Sequence, residues 1–237
     1  MRKTMRQEEQ EQLNADLLEA AQWSDNAPKI DALIAAGAQV DAVDADGWHP
    51  LHNAAHGSNA TVAALLLAKG ARIDAPGGFG MQPLHIAAER GNKKVVELLI
   101  DRGAEVDAAD GEGRTPLHRA AGNGRAVVVD FLARKGACLD GVDKEGRTPL
   151  HCAVENNQDV TVGMLLGLGA DPMVVDNEGK TPRDAAHNPA VHPDIRALLE
   201  KAEGEWEKSG MRKRKDLIAL RARLRKLGSL RPRGPAL

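Results

Sequence analysis

Pro50, Pro83, Pro116, Pro149 and Pro182 fall 33 residues apart, and Gly37, Gly70, Gly103, Gly136 and Gly169 keep the same interval. A constant period carrying constant turn residues is the mark of a repeat array. Each module of such an array hides its apolar face only against its neighbours. A length of 237 residues, which would otherwise fit one large or two ordinary globular domains, therefore describes no single core.

The stretch from Asp110 to Asp140 shows why the interval is a structural unit. Asp110-Gly-Glu-Gly113 reads as a turn tip, because glycine reaches backbone angles that strain other residues. Thr115 before Pro116 is a helix start: a capping hydroxyl, then a proline whose missing N–H costs nothing in the first turn. Leu117, Ala120 and Ala121 give the first helix a narrow face of small residues that lets another helix approach. Asn123-Gly124 breaks it. Val127, Val128, Phe131 and Leu132 then recur at helical spacing. Gly136 sits where a left-handed helix end is expected, followed by an extended, strand-like return.

The pattern Gly-x-Thr-Pro-Leu-His-x-Ala-Ala, then Val-Val-x-x-Leu-Leu, then Gly-Ala-x-Val-Asp resembles the ankyrin repeat. Arg114-Thr-Pro-Leu-His118 and Arg147-Thr-Pro-Leu-His151 carry that signature in full, while His49-Pro-Leu-His52 and Gln82-Pro-Leu-His85 lack the threonine. The resemblance covers residues 13–202 and implies an all-α solenoid of helix-turn-helix pairs with β-turn fingers. It also implies that fingertips and first helices line a concave face where partner proteins bind.

Six repeats are expected in residues 13–202, with the first and last as caps. In the first, Leu17, Leu18, Ala20 and Ala21 replace the Pro-Leu-His start, whereas Ile30, Leu33, Ile34 and Gly37 keep the second helix in register. The third finger, Pro76-Gly-Gly-Phe-Gly-Met81, has lost the tip aspartate. Val154 and Asn157 in the fifth repeat predict looser packing of its first helix, and Arg183-Asp184 replaces Leu-His in the sixth. Residues 1–12 are polar and read as a frayed helix or disorder; Gly204 to Gly210 reads as a linker.

Residues 203–237 form a basic tail with a helix expected over 212–227, where Leu217, Leu220, Leu224 and Leu227 fall on one stripe. Arg212, Lys213, Arg214, Lys215, Arg221, Arg223, Arg225 and Lys226 supply its charge. From Lys208 onward eleven bases stand against one acid, Asp216, while the remaining 207 residues carry 21 bases and 33 acids. The total of −2 thus conceals an acidic body and a basic tail. Three roles are open to the tail: docking on the acidic body, pairing with another helix, or binding nucleic acid or an anionic membrane. Two heptads are too short to be stable alone.

Two cysteines, Cys138 and Cys152, make no disulfide framework and fit a reducing compartment. The start, MRKTMRQEEQEQ, has no apolar run for a secretory signal. The expectation is an intracellular, cytoplasmic protein, with Arg212-Lys-Arg-Lys215 able to act as a nuclear address in a eukaryote.

His52, His85, His118 and His151 recur once per repeat and read as scaffold: each can hydrogen-bond a neighbouring turn. Repeats about 10 Å apart are too widely spaced for two imidazoles to share a zinc at about 2 Å from each. His49, His52 and His56 face one way on a helix but have no cysteine near them. Cys152 lacks a paired base, and the phosphate-loop, dinucleotide and nucleophile-elbow motifs are missing. Neither an enzyme, a metal, a cofactor nor a small-molecule substrate is expected.

Recognition of another protein is the expectation, by a monomeric repeat domain. Trp48, Phe79 and Met81 lie on adjacent fingertips and are predicted to face solvent as an apolar anchor; the competing role for Trp48 is to pack on the next finger. Arg114, Arg147 and Lys180 continue the fingertip row, with Glu112, Glu145 and Glu178 beside them. Along the first helices, Asn53, Ile86, Glu89, Arg90, Arg119, Asn123, Cys152 and Asn156 are predicted to add specificity.

Overall fold

The structure, a computed structural model, describes residues 2–23, 26–186 and 191–208. Twelve α-helices occur among them, arranged as six pairs. The first members are α1 (Arg2–Ala21), α3 (Pro50–His56), α5 (Pro83–Arg90), α7 (Pro116–Gly122), α9 (Pro149–Glu155) and α11 (Pro182–Ala185). The second members are α2 (Ala27–Ala35), α4 (Ala60–Ala68), α6 (Lys93–Asp101), α8 (Ala126–Arg134), α10 (Asp159–Leu168) and α12 (Pro193–Lys208). Each helix packs on its pair-mate and on its counterpart in the next repeat, which yields two parallel layers.

The five in-register prolines each open a first helix, where fixed φ is pre-set for the helical turn. The five in-register glycines end or follow the second helices at φ between 93° and 111°. That is left-handed backbone, which a Cβ resists.

The core is continuous but thin. Ala54, Ala55, Ala87, Ala88, Ala120, Ala121 and Ala153 are fully buried between first helices, and their small size sets the close approach. Leu66, Leu99, Leu132 and Leu165 fill the layer below, one per repeat. Val154 is as fully buried as the alanines at its position in the repeats before it. Asn157 takes a left-handed φ of 57° at the turn.

Of the two readings of residues 1–12, helix or disorder, the chain takes the helix, from Arg2 without a break into the first repeat; the linker and the strand-like return are corrected. Gln10 and Asn14 hold that helix to the end of α2, through the Gly37 carbonyl and the Gln39 N–H. The proposed linker from Gly204 is helical as far as Lys208, because α12 is longer than the other second helices. The return after each second helix is a turn, and no strand occurs among the described residues. The tail helix expected over 212–227 lies outside them.

One buried polar atom has no partner among the described residues: the Thr161 hydroxyl, at the α10 position where α6 has Val95 and α8 has Val128. A desolvated, unbonded hydroxyl costs roughly 1–3 kcal/mol. Thr161→Val is therefore expected to raise the unfolding free energy by about 1 kcal/mol, read as an increased denaturant midpoint at unchanged slope. A lower midpoint would show that the hydroxyl is satisfied.

Candidate functional site

The finger side of the stack is built from hydrogen bonds that repeat with the sequence. Asp44, Asp110, Asp143 and Asp176 each accept two backbone N–H groups of their own finger, as Asp110 does from Glu112 at 2.8 Å and Arg114 at 3.0 Å. The residue before each motif proline then donates its N–H to the motif histidine Nδ1, at 3.2 Å in His52 and 3.1 Å in His85, His118 and His151. An Nδ1 that accepts carries no proton, so Nε2 must carry it. Each Nε2–H accordingly donates to a carbonyl of the next finger: Met81, Arg114, Arg147 and Lys180, at 2.9–3.1 Å. Fingers also join directly, by Gly111 N to Phe79 O at 2.7 Å, Lys144 N to Glu112 O at 3.0 Å and Asn177 N to Glu145 O at 2.9 Å.

These histidines are neutral. Burial lowers the pKa of His52, His85, His118 and His151, in His52 to about 4. His49 turns its Nδ1 to the Asp41 carbonyl, and its ring stacks on His52 at 5.5 Å. Burial also pushes the Cys152 thiol up to about 12, so it is no thiolate at neutral pH.

The third finger departs from the others because it lacks the organising aspartate. Gly77 N still bonds Met81 O at 2.8 Å, but Gly78–Gly80 collapse into a 3-10 turn. A side chain at Gly78 would meet the Asp46 carbonyl at 2.7 Å, so this backbone lies against the finger before it. Phe79 is left with φ 56°, ψ 22° and its ring 78% exposed. A bulky residue in left-handed backbone is a genuine outlier.

The predicted anchor is therefore divided. Phe79 alone faces solvent. Trp48 is half-buried, its ring beside those of His52 (6.1 Å) and His56 (5.7 Å, edge-on), and Met81 packs on the core. Trp48 fills the role of tightening the stack, since the Gly78 backbone comes up to its indole nitrogen.

Further along, Arg114, Arg119, Asn123, Arg147, Cys152 and Asn156 meet around one shallow groove of about 330 Å³, with Glu155 on its wall. Its arginines are taken by carboxylates. Arg119 reaches the buried Asp110 at 2.6 Å, Glu112 at 3.3 Å and Glu89 at 3.8 Å. Arg147 contacts buried Asp143, Glu145 and Glu155 at 2.9–3.5 Å, and Arg114 bonds Glu112 at 2.9 Å. Burial pushes the carboxyls of Asp110 and Asp143 up, but the arginine and backbone N–H groups outweigh it and hold both below the usual carboxylate range. Lys180 pairs with Glu178 at 2.6 Å. The basic row thus brings its own counter-charge, whose signal in the sequence was the 33-residue spacing of the tip aspartates.

Two specificity residues are corrected: Ile86 (3% exposed) and Cys152 (7%) are packed inside the stack. Asn53 is spent on the Leu18 carbonyl, and Asn123 and Asn156 on carbonyls four residues earlier. Arg90 is exposed and Glu89 half-buried. The basic tail residues from Arg212 to Lys226 lie outside the described residues. No group of three His, Cys, Asp or Glu side chains suited to a metal occurs among the described residues, and none of their helices is long and apolar enough to cross a membrane.

Paired helices, stacked fingers and a histidine bridge at each of the four junctions from the second repeat to the sixth define a helical repeat solenoid whose finger side is its irregular surface. A family model for ankyrin repeats in three copies matches residues 17–110 and again 105–176, so the chain belongs to the ankyrin repeat family. No curated protein matches it. Ankyrin repeats are generally modules for protein–protein interaction.

The histidine bridges set a pH dependence. A pKa lowered on folding means that the unfolded chain binds protons first, so the stabilisation is whole above pH 6.5 and is lost as pH falls toward 4. For His52 alone the loss is about 3 kcal/mol at the acid end. Urea titrations at pH 7.5, 6 and 5 are expected to give falling midpoints; a flat response across this window would contradict buried neutral imidazoles.

Proposed function

We propose that the chain is a non-catalytic scaffold or adaptor, a monomeric cytoplasmic repeat domain that grips a partner protein with its fingertips and first-helix face. Phe79 carries this reading. Phe79 is 78% exposed on backbone that a bulky residue avoids, and its bond to the next finger is made by its carbonyl, not by its ring. Backbone outliers of this kind collect at ligand-contacting sites, and exposed aromatics are the usual centres of binding hot spots. The half-buried edges of Trp48 and Met81 extend the patch, and Asn53 lies on the first helix beside it.

Glu89, Arg90, Arg114, Arg119, Asn123, Arg147, Asn156 and Lys180 would form its polar flank. Because Arg114, Arg119 and Arg147 are pre-paired, their guanidinium planes are held in place before a partner arrives. Such a flank fixes register and excludes wrong partners more than it adds affinity.

Phe79→Asn separates binding from folding, because asparagine tolerates left-handed backbone. Its unfolding midpoint is expected to stay level or rise, while affinity for a partner recovered with the unaltered chain falls by about 30-fold, the loss of a hot spot worth about 2 kcal/mol. Val127→Ser, on exposed α8 surface away from the fingers, is the control. Equal partner recovery by both variants would remove Phe79 from the site.

A further inference from the structure

The second-helix layer ends in a groove that the repeat pattern does not require. It lies between α10 and α12, has a volume of about 370 Å³ and is walled by Gly163, Leu166, Pro172, Leu198, Ala202 and Trp206. Helix α12 has two apolar faces. Ile195 and Leu199 are fully buried in the stack, whereas Leu198, 36% exposed, leads a second stripe through Ala202 to Trp206 along the groove. A helix closing a solenoid needs only the first of these; a second apolar stripe calls for another element.

The opposite wall is also exceptional. The outward positions of α6 carry Glu97 and Asp101, those of α8 carry Asp130 and Arg134, and those of α4 carry Ala64 and Ala68; α10 alone has glycine at both, Gly163 and Gly167. Each glycine inside a helix costs about 1 kcal/mol relative to alanine. Their described surroundings give no reason for it, since a Cβ would meet only Leu198 at 3.9 Å from Gly163 and nothing within 4 Å from Gly167.

The chain itself supplies an occupant. Helix α12 ends at Lys208, two residues past Trp206. Ser209-Gly-Met211 then separates it from residues 212–227, a segment of 16 residues, the length of α12. Three residues suffice to reverse the chain between antiparallel helices. Leu217, Leu220, Leu224 and Leu227 recur at the spacing of one helical face; four bases lie between them and four precede them. Glu205 is exposed on the groove's edge, where it pairs with Lys201 at 4.0 Å.

We propose that residues 212–227 turn back on α12 as an antiparallel helix and seat their leucines in the groove between α10 and α12, the glycines of α10 giving the backbone room to approach. This caps the last repeat within the same molecule and leaves the arginines and lysines outward.

Hydrogen exchange on the full chain tests this. Amides of 212–227 are expected to exchange on the order of tenfold or more slowly than in an unstructured chain. The protection is expected to be independent of protein concentration, and to vanish in Gly167→Arg and in the double variant Leu220→Glu/Leu224→Glu. Arginine at 167 enters open space on an exposed helix position, so the fold survives, as unchanged protection around Leu132 verifies. Free exchange of 212–227 in the unaltered chain overturns the proposal. So does protection that persists in Gly167→Arg, which puts the segment elsewhere, such as on the acidic fingers. Protection that grows with concentration means that a second copy fills the groove, and protection seen only with added RNA or anionic vesicles means that the segment serves those surfaces; either result also overturns it.

Discussion

The fold depends on an imidazole in each of the four inner repeats, held neutral by two backbone groups that belong to different modules. Nδ1 accepts from the start of its own first helix and Nε2 donates to a carbonyl 29 residues on, so each ring joins helix and finger in a fixed register. Neither lysine nor an amide could do the same as compactly: the first has no acceptor, and the second is not a rigid ring. Because both nitrogens are spent, the histidine ladder is closed to other chemistry. Four histidines that look in one dimension like a row of bases or ligands are in three dimensions a row of bolts. Aspartates further from the fingers reinforce them, Asp41, Asp107 and Asp140 each accepting an N–H from a residue 31 further on.

The period made the stack legible before any coordinates. Register, helix starts and left-handed helix ends all follow from residues that recur every 33 positions, since a spacing that repeats leaves little freedom for a different pairing. What the period could not carry was anything non-repeating. Residues 1–12 look too polar to fold alone, yet side-chain amides such as Gln10 and Asn14 bind the end of α2, a contact with no apolar signature. Ile86 and Cys152 occupy positions that read as partner-facing from spacing alone, yet both are buried, Cys152 at the floor of the groove beside Arg147. Trp48 and Phe79 occupy neighbouring fingers at different register positions: Trp48 shares its position with the half-buried Met81, and Phe79 shares its position with exposed Asp46, Glu145 and Glu178.

The arginines of the fourth and fifth repeats show how a row of like charges in a sequence can carry little net field in space. Each approaches a tip aspartate whose carboxylate already accepts backbone N–H groups, so the same anion orders the finger and fixes the guanidinium. Arg114 reaches across to Asp143 of the following finger, which links two repeats through side chains as the histidine does through backbone. Partial burial makes these pairs firmer than exposed ones, but removing a single partner would leave a desolvated charge behind. The surface on offer is thus stiff and mixed in sign, which suits selection among partners better than attraction of any one charge.

The two ends of the stack resolve their open faces differently, and the sixth repeat shows the logic most clearly. Asp184 stands where the motif histidine would, and its carboxylate takes the Thr181 N–H and hydroxyl, both at 2.9 Å. It replaces the Nδ1 half of the imidazole, and no seventh finger follows among the described residues. Arg183, in the place of the buried leucine, instead bridges to Glu200 and Glu203 on α12. Substitutions that look like decay of the repeat pattern are therefore fitted to a terminus. Among the described residues the first-helix layer is finished by polar residues, whereas the second-helix layer ends on Leu198 and Trp206 beside Gly163 and Gly167 of α10. An array that has closed one of its two layers so fully with charge would gain nothing by leaving grease on the other, unless more of the chain returned to cover it.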